Sequence, residues 1–81
     1  MSTTEGRTHR IEIQMRRHGS FAVDEWLDGG WVERYHASAT GQAYTGTWDA
    51  GQRGRVRERD GAHGQTREFT VNEFGDVVWE V

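Results

Sequence analysis

The chain has 81 residues, of which thirteen are acidic and ten basic, and its formal net charge is −3. This length allows one domain, and this charge is too weak to attract nucleic acid by itself or to imitate it. The absence of cysteine excludes disulfides, thiolate nucleophiles and cysteine-based zinc sites. No run of roughly 20 apolar residues predicts a membrane helix, and no signal peptide is recognisable, so we expect a cytoplasmic protein without a membrane partner.

Apolar residues alternate with polar ones along much of the chain, which predicts β-strands. Glycine-containing turn signals separate these runs at intervals of about 8–12 residues, which is typical of small antiparallel folds. The sequence therefore predicts an all-β domain, a small antiparallel meander of about seven short strands that forms a barrel or a two-sheet sandwich. In chain order the predicted strands cover residues 8–17, 20–28, 31–38, 42–48, 53–60, 65–73 and 76–81. Residues 1–7 are expected to form a flexible tail and 8–81 the domain.

Turn chemistry, together with the matching of apolar side chains across strands, predicts a register for each hairpin. Hairpins are expected between strands one and two, two and three, five and six, and six and seven. The predicted pairs are Met15 with Phe21, Val23 with Tyr35, Leu27 with Trp31, Glu25 with Glu33, Val56 with Phe69, and Val71 with Trp79. The free edge of the seventh strand can also pair with a second copy of the chain, which would give a homodimer.

Arginine occupies every second position from 53 to 59 in one predicted strand. The alternation turns Arg53, Arg55, Arg57 and Arg59 to one side of the sheet, where guanidinium groups can bind carboxylates or phosphates. Nucleic-acid-binding sheets place stacking aromatics among their basic residues. We expect no aromatic on this face, so an acidic protein is favoured over nucleic acid. The alternative is a solvated face that binds no partner.

Trp26 lies on the opposite parity from the apolar residues of its strand. It is therefore expected either on an exposed interface, where tryptophan is enriched, or in a second layer of core. A further group of polar side chains shares the inward parity, where apolar residues are expected: His9, Glu25, Glu33, Glu58 and Arg67. Such charges are costly in a core unless they are paired. They predict either a pocket suited to acid–base chemistry or ion pairs at the rim of the core.

Gly46-Thr47-Trp48 resembles the G-x-W signature of up-and-down barrels such as the avidin and lipocalin families. The resemblance covers only these few residues and lies in mid-chain, whereas those families carry the signature near the start of the barrel. No ligand site is carried over from it.

We recognise no catalytic motif and no metal-ligand spacing, so we expect no catalytic residues, metal or cofactor. The leading hypothesis is a non-enzymatic protein-interaction module, such as an inhibitor, regulator or accessory subunit, with the arginines and Trp26 as its binding residues. Replacing Arg55 and Arg57 by glutamate is then expected to weaken binding without disturbing the fold. The alternatives are a calycin-like mini-barrel with a Glu/His/Arg pocket, which binds a small molecule or is an enzyme, and a nucleic-acid-binding domain.

Overall fold

Seven antiparallel strands form in the computed structural model, which describes residues 8–15, 19–38 and 43–80. The strands are β1 (Thr8–Gln14), β2 (Ser20–Leu27), β3 (Gly30–Ala37), β4 (Ala43–Asp49), β5 (Arg53–Asp60), β6 (His63–Val71) and β7 (Val77–Trp79). The all-β prediction is confirmed. The predicted tail at 1–7 and the predicted strand end at Val81 lie outside the described residues.

The strands form two sheets rather than one closed barrel. A five-stranded sheet has the order β3-β2-β5-β6-β7, and β1 pairs with β4 in a two-stranded sheet. The predicted β1–β2 hairpin, with Met15 opposite Phe21, is therefore wrong. In the β1–β4 ladder Ile13 opposes Tyr44. The chain changes sheet between β1 and β2, which produces a sandwich and lets two strands cover the inner face of five.

The core lies between the two sheets, where the alternating apolar positions meet. Its buried side chains are Ile11, Ile13, Phe21, Val23, Tyr44, Trp48, Val56, Phe69 and Val71. Trp48 is only 1% exposed; its Nε1 donates a 2.8 Å hydrogen bond to Tyr44 Oη, and its ring centre lies 5.3 Å from that of Phe69. The tryptophan of the G-x-W segment is therefore a core residue here, in a fold whose sheets do not close.

The β2–β3 hairpin has a shorter turn than predicted. Asp28 and Gly29 form it with φ angles of 50° and 82°, both in the left-handed region that two-residue hairpin turns require. Trp26 consequently opposes Trp31, so the predicted pairing of Leu27 with Trp31 is wrong. A register shift between Val23 and Asp24 restores the predicted pairing of Val23 with Tyr35.

The β5–β6 and β6–β7 hairpins differ from prediction by two residues. Gly61 and Ala62 make the first turn, so Val56 opposes Arg67 instead of Phe69. In the second hairpin Val71 opposes Val77 instead of Trp79. Because strand side chains alternate with a period of two, a slip of two residues keeps every side chain on its predicted face.

Gly54 occupies a position in the core where no side chain fits. A Cβ atom there would lie 2.5 Å from Phe69 Cζ and 2.7 Å from Trp48 Cη2. Overpacking of this kind costs about 1–3 kcal/mol, so Gly54→Ala is expected to lower the free energy of unfolding by about 1–2 kcal/mol in urea denaturation. Gly64→Ala is the control, because its Cβ would meet nothing nearer than Glu58 O at 3.7 Å. An equal loss in both variants would contradict the prediction.

Candidate functional site

The outer face of the five-stranded sheet, which is turned away from β1 and β4, carries most of the charged side chains. The central strand β5 buries Gly54, Val56 and Glu58 toward the core. Its alternate positions therefore place four arginines in a row on the outer face, as the sequence predicts. We call them the arginine column: Arg53, Arg55, Arg57 and Arg59.

Carboxylates from the flanking strands neutralise three members of the column. Asp24 Oδ2 accepts hydrogen bonds from Arg55 Nε at 2.7 Å and from Arg57 Nε at 2.6 Å. Arg57 Nη2 also donates to Asp24 Oδ1 at 2.9 Å and to Glu33 Oε1 at 3.0 Å. The outer face is therefore not a strongly basic surface over this part of the column.

Arg53 is neutralised at the other flank of the sheet. Its Nε donates to Glu68 Oε1 at 3.1 Å, and it lies 4.0 Å from Glu80 Oε2. These groups are largely exposed, so water weakens their attraction. The hydrogen bonds with Glu68 nevertheless raise the pKa of Arg53, which stays protonated.

Asp24 is the most deeply buried member of this network, with 2% of its surface exposed. Burial raises the pKa of its carboxyl, but hydrogen bonds and charges from Arg57 and Arg55 outweigh burial and leave the pKa below its ordinary value. In turn, the hydrogen bond to Asp24 raises the pKa of Arg57. The ionised carboxylate thus holds two guanidinium groups in fixed positions. Alternation places Asp24 on the outward parity, but it does not indicate that two arginines of the neighbouring strand share this carboxylate.

Two tryptophans lie at one end of the arginine column. The rings of Trp26 and Trp31 meet edge to face, with centres 5.1 Å apart and planes at 70°. Arg55 lies 4.5 Å from the centre of the Trp31 ring, and Arg53 lies 5.7 Å from the centre of each ring. Trp26 is 39% exposed. We refer to these two residues as the tryptophan pair.

The tryptophan pair overturns the expectation that no aromatic stands among the arginines. The pairing of β2 with β5, which brings Trp26 beside the column, was not predicted. The predicted three-residue turn, in addition, would have directed Trp31 inward. The two-residue turn moves β3 by one position, which carries Trp31 and Glu33 to the outer face. The dipeptide Asp28-Gly29 is itself a signal for a two-residue hairpin turn, so the correct turn length could have been predicted from the sequence.

The opposite end of the column contains an open depression of about 370 Å³. Small side chains on β2, above all Ala22, lie beside the long side chains of β5 and leave this space. Its lining consists of Ser20, Ala22, His36, Arg57, Glu58, Arg59, Gly64, Gln65 and Thr66.

The charged residues predicted to share a pocket lie in separate places. Glu25 opposes Val32 rather than Glu33, so that predicted pairing is wrong. Glu25 binds Arg34 at 2.6 Å, whereas Glu33 lies on the outer face. The register shift directs Arg34 toward the core side, and sequence reasoning missed this partner.

The other two inward charges form a second ion pair. Arg67 Nη2 lies 3.5 Å from Glu58 Oε1, and the Arg67 guanidinium lies 4.1 Å from the centre of the Trp79 ring. His9 instead packs against Gly75, where a Cβ atom would come within 2.8 Å of its ring. This separation gives the predicted acid–base pocket no support.

Protein-family models, curated proteins and solved structures provide no match to this chain. Within residues 8–15, 19–38 and 43–80 there is no helix long and apolar enough to cross a membrane. In the same part of the chain, no three histidine, aspartate or glutamate side chains converge as metal ligands would.

Proposed function

We propose that the chain is a non-enzymatic protein-interaction module that binds a partner protein through the outer face of the five-stranded sheet. The observation that carries this proposal is the tryptophan pair on the outer face, in which Trp26 is exposed and Trp31 half-buried, flanked by Arg53 and Arg55. Tryptophan and arginine are the residue types most enriched among the side chains that dominate binding energy. Action as a cytoplasmic inhibitor, regulator or accessory subunit belongs to the same proposal.

The charge arrangement defines the kind of partner. The centres of protein interfaces are depleted of charged residues, and burying an unpaired charge is costly. Arg53, Arg55 and Arg57 already have carboxylate partners within the sheet, so the partner does not need a strongly acidic surface. We expect it to place an apolar side chain against the tryptophan pair and to offer neutral hydrogen-bond acceptors to the nearby arginines.

Single-stranded nucleic acid is the second candidate, and the tryptophan pair is the observation in its favour. Bases stack on exposed aromatic rings, with arginine adding cation–π contacts. The carboxylates at Asp24, Glu33 and Glu68 count against it, because they occupy the guanidinium groups that phosphates would need. Binding to nucleic acid would decrease steeply with salt concentration, whereas binding to an apolar protein surface would not.

Trp26→Ala is expected to weaken binding to the partner at least about tenfold, as loss of a central aromatic anchor does. The partner is first isolated from the host lysate with the tagged wild-type chain, with and without nuclease, and identified by mass spectrometry. Its affinity for each purified variant is then measured by calorimetry. Phe74→Ala is the matched control, because Phe74 is an aromatic that is 75% exposed in the β6–β7 loop, and β6 lies two strands beyond β2 in the sheet order.

Circular dichroism must show that both variants keep the wild-type fold. The proposal is supported if Trp26→Ala weakens binding and Phe74→Ala does not. Equal affinities in all three proteins would contradict it, and material lost on nuclease treatment would establish the nucleic-acid alternative.

The replacement of Arg55 and Arg57 by glutamate, which the sequence suggested, is not a suitable test of the arginine column. Glutamates at positions 55 and 57 would face the buried Asp24 carboxylate, so that double replacement is expected to unfold the sheet rather than report on binding. Arg53 is the suitable probe, because its ion-pair partners Glu68 and Glu80 are both partly exposed.

A further inference from the structure

The depression beside Arg57 and Arg59 carries a positive charge that the sheet does not neutralise. Among the described residues Arg59 forms no ion pair, and its Nε donates only to Gly61 O at 3.3 Å. This distinguishes Arg59 from the other three arginines of the column, each of which has a carboxylate partner.

Arg57 lines the depression beside Arg59; Asp24 and Glu33 offset its charge, and they also hold its guanidinium in place. Its Nε and Nη2 atoms are bound by Asp24 and Glu33, whereas its Nη1 atom makes no hydrogen bond within the described part of the chain. A guanidinium with a fixed position loses less entropy when it binds an anion than a freely moving one.

The acidic residue in the lining does not oppose an anion. The side chain of Glu58 is 1% exposed, because its carboxylate is directed to the core side, where it contacts Arg67. The remaining lining supplies hydrogen-bond donors from three further strands: the hydroxyls of Ser20 and Thr66 and the imidazole of His36.

We propose that this depression binds a phosphate monoester. Arginine guanidinium groups form paired, charge-assisted hydrogen bonds with phosphate oxygens, and hydroxyl and imidazole donors on the other sides suit a tetrahedral group. The volume of about 370 Å³ lies near the lower end of the range for small-molecule sites, so it accommodates a small organic group together with the phosphate. This site uses neither Trp26 nor Trp31, and it is independent of the proposed partner.

The test follows backbone amide signals of the labelled protein by NMR while O-phosphoserine is added at constant ionic strength. We expect saturable shifts for Arg59, Gly64 and Thr66. Serine and sodium chloride, added in the same way, are expected to leave these signals unshifted. Parallel titrations with inorganic phosphate and with adenosine monophosphate show which organic group the site prefers.

Arg59→Gln is expected to weaken phosphoserine binding about tenfold, the loss typical of a hydrogen bond to a charged group. Arg10→Gln is the matched control, because Arg10 is an exposed arginine of the two-stranded sheet. Both variants should unfold at the wild-type temperature, since neither side chain forms an ion pair among the described residues.

Three results would overturn the proposal. Shifts that increase linearly without saturation would show only general ionic effects, as would equal shifts with chloride. Equal weakening by Arg59→Gln and Arg10→Gln would show that net charge, rather than the depression, attracts the phosphate. Since no partner protein is present, none of these results bears on the tryptophan pair.

Discussion

Asp24→Asn is expected to lower the free energy of unfolding by roughly 2–3 kcal/mol, slightly less than the 3–5 kcal/mol typical of breaking a buried ion pair. The loss is large because Asp24 is 2% exposed and holds Arg55 and Arg57 side by side. Without its charge these two guanidinium groups repel each other. The expected loss of unfolding free energy stays below the range for fully buried ion pairs because Arg55 and Arg57 both retain contact with water. Urea denaturation at neutral pH measures it.

The same change also predicts a specific dependence on pH. The folded protein lowers the pKa of Asp24 below its ordinary value of 3.8. A carboxyl with a lowered pKa contributes stability above its unfolded pKa and loses that contribution as pH falls through the folded value. The difference between wild type and Asp24→Asn should therefore be constant above about pH 5 and should shrink below pH 3.8.

Glu68→Gln is the matched control for Asp24→Asn, since it removes another carboxylate that binds an arginine of the column. Glu68 and Arg53 are 34% and 45% exposed, and exposed ion pairs contribute little. We expect almost no change in the urea midpoint. If Glu68→Gln destabilised the protein as much as Asp24→Asn, burial would not be what makes the Asp24 network important.

Local patterns in the sequence were sufficient for the strands and for most of the faces. Alternation and apolar pairing placed Val23, Val56 and Phe69 on the core face, and turn signals separated the seven strands. Both kinds of information depend on neighbouring residues only. The pairing of β1 with β4 joins residues about 35 positions apart, such as Ile11 and Gly46. No turn links these strands, so turn chemistry had no means of predicting their pairing.

The candidate site shows how unequal the consequences of a register error are. In the β5–β6 hairpin an error of two residues left the arginine column on its predicted face. In the β2–β3 hairpin an error of one residue reversed Trp31 and Glu33. That single position concealed Trp31 and Glu33 as outer-face residues. Trp26 was missed as a neighbour of the arginines for another reason, because the pairing of β2 with β5 was not predicted.

The register shift between Val23 and Asp24 places Arg34 between the two sheets. Its Nη1 donates to Glu25 Oε1 at 2.6 Å and its Nη2 to Thr47 O at 3.1 Å. The guanidinium also lies 4.9 Å from the centre of the Trp48 ring. One side chain on β3 therefore joins the five-stranded sheet to β4, across a gap that a closed barrel would bridge with backbone hydrogen bonds.

Arg34→Met is expected to cost about 3 kcal/mol of unfolding free energy, because it leaves a buried carboxylate without its partner. The side chain of Glu25 is 5% exposed, and that of Arg34 is 30% exposed. Adding Glu25→Gln to Arg34→Met should recover roughly half of the loss, since a neutral amide is far less costly to bury than a charge.

A double-mutant cycle by urea denaturation isolates the interaction between the two residues. Hydrogen exchange should also show faster opening of the β4 amides in Arg34→Met, because Thr47 loses a contact to the other sheet. Strictly additive losses from the two single variants would mean that Arg34 does not act through Glu25, which would leave its contacts with Thr47 O and the Trp48 ring. A positive coupling would show that the ion pair between Arg34 and the buried Glu25 helps to hold the two sheets together. The same β2–β3 hairpin carries the exposed Trp26 on its outer face.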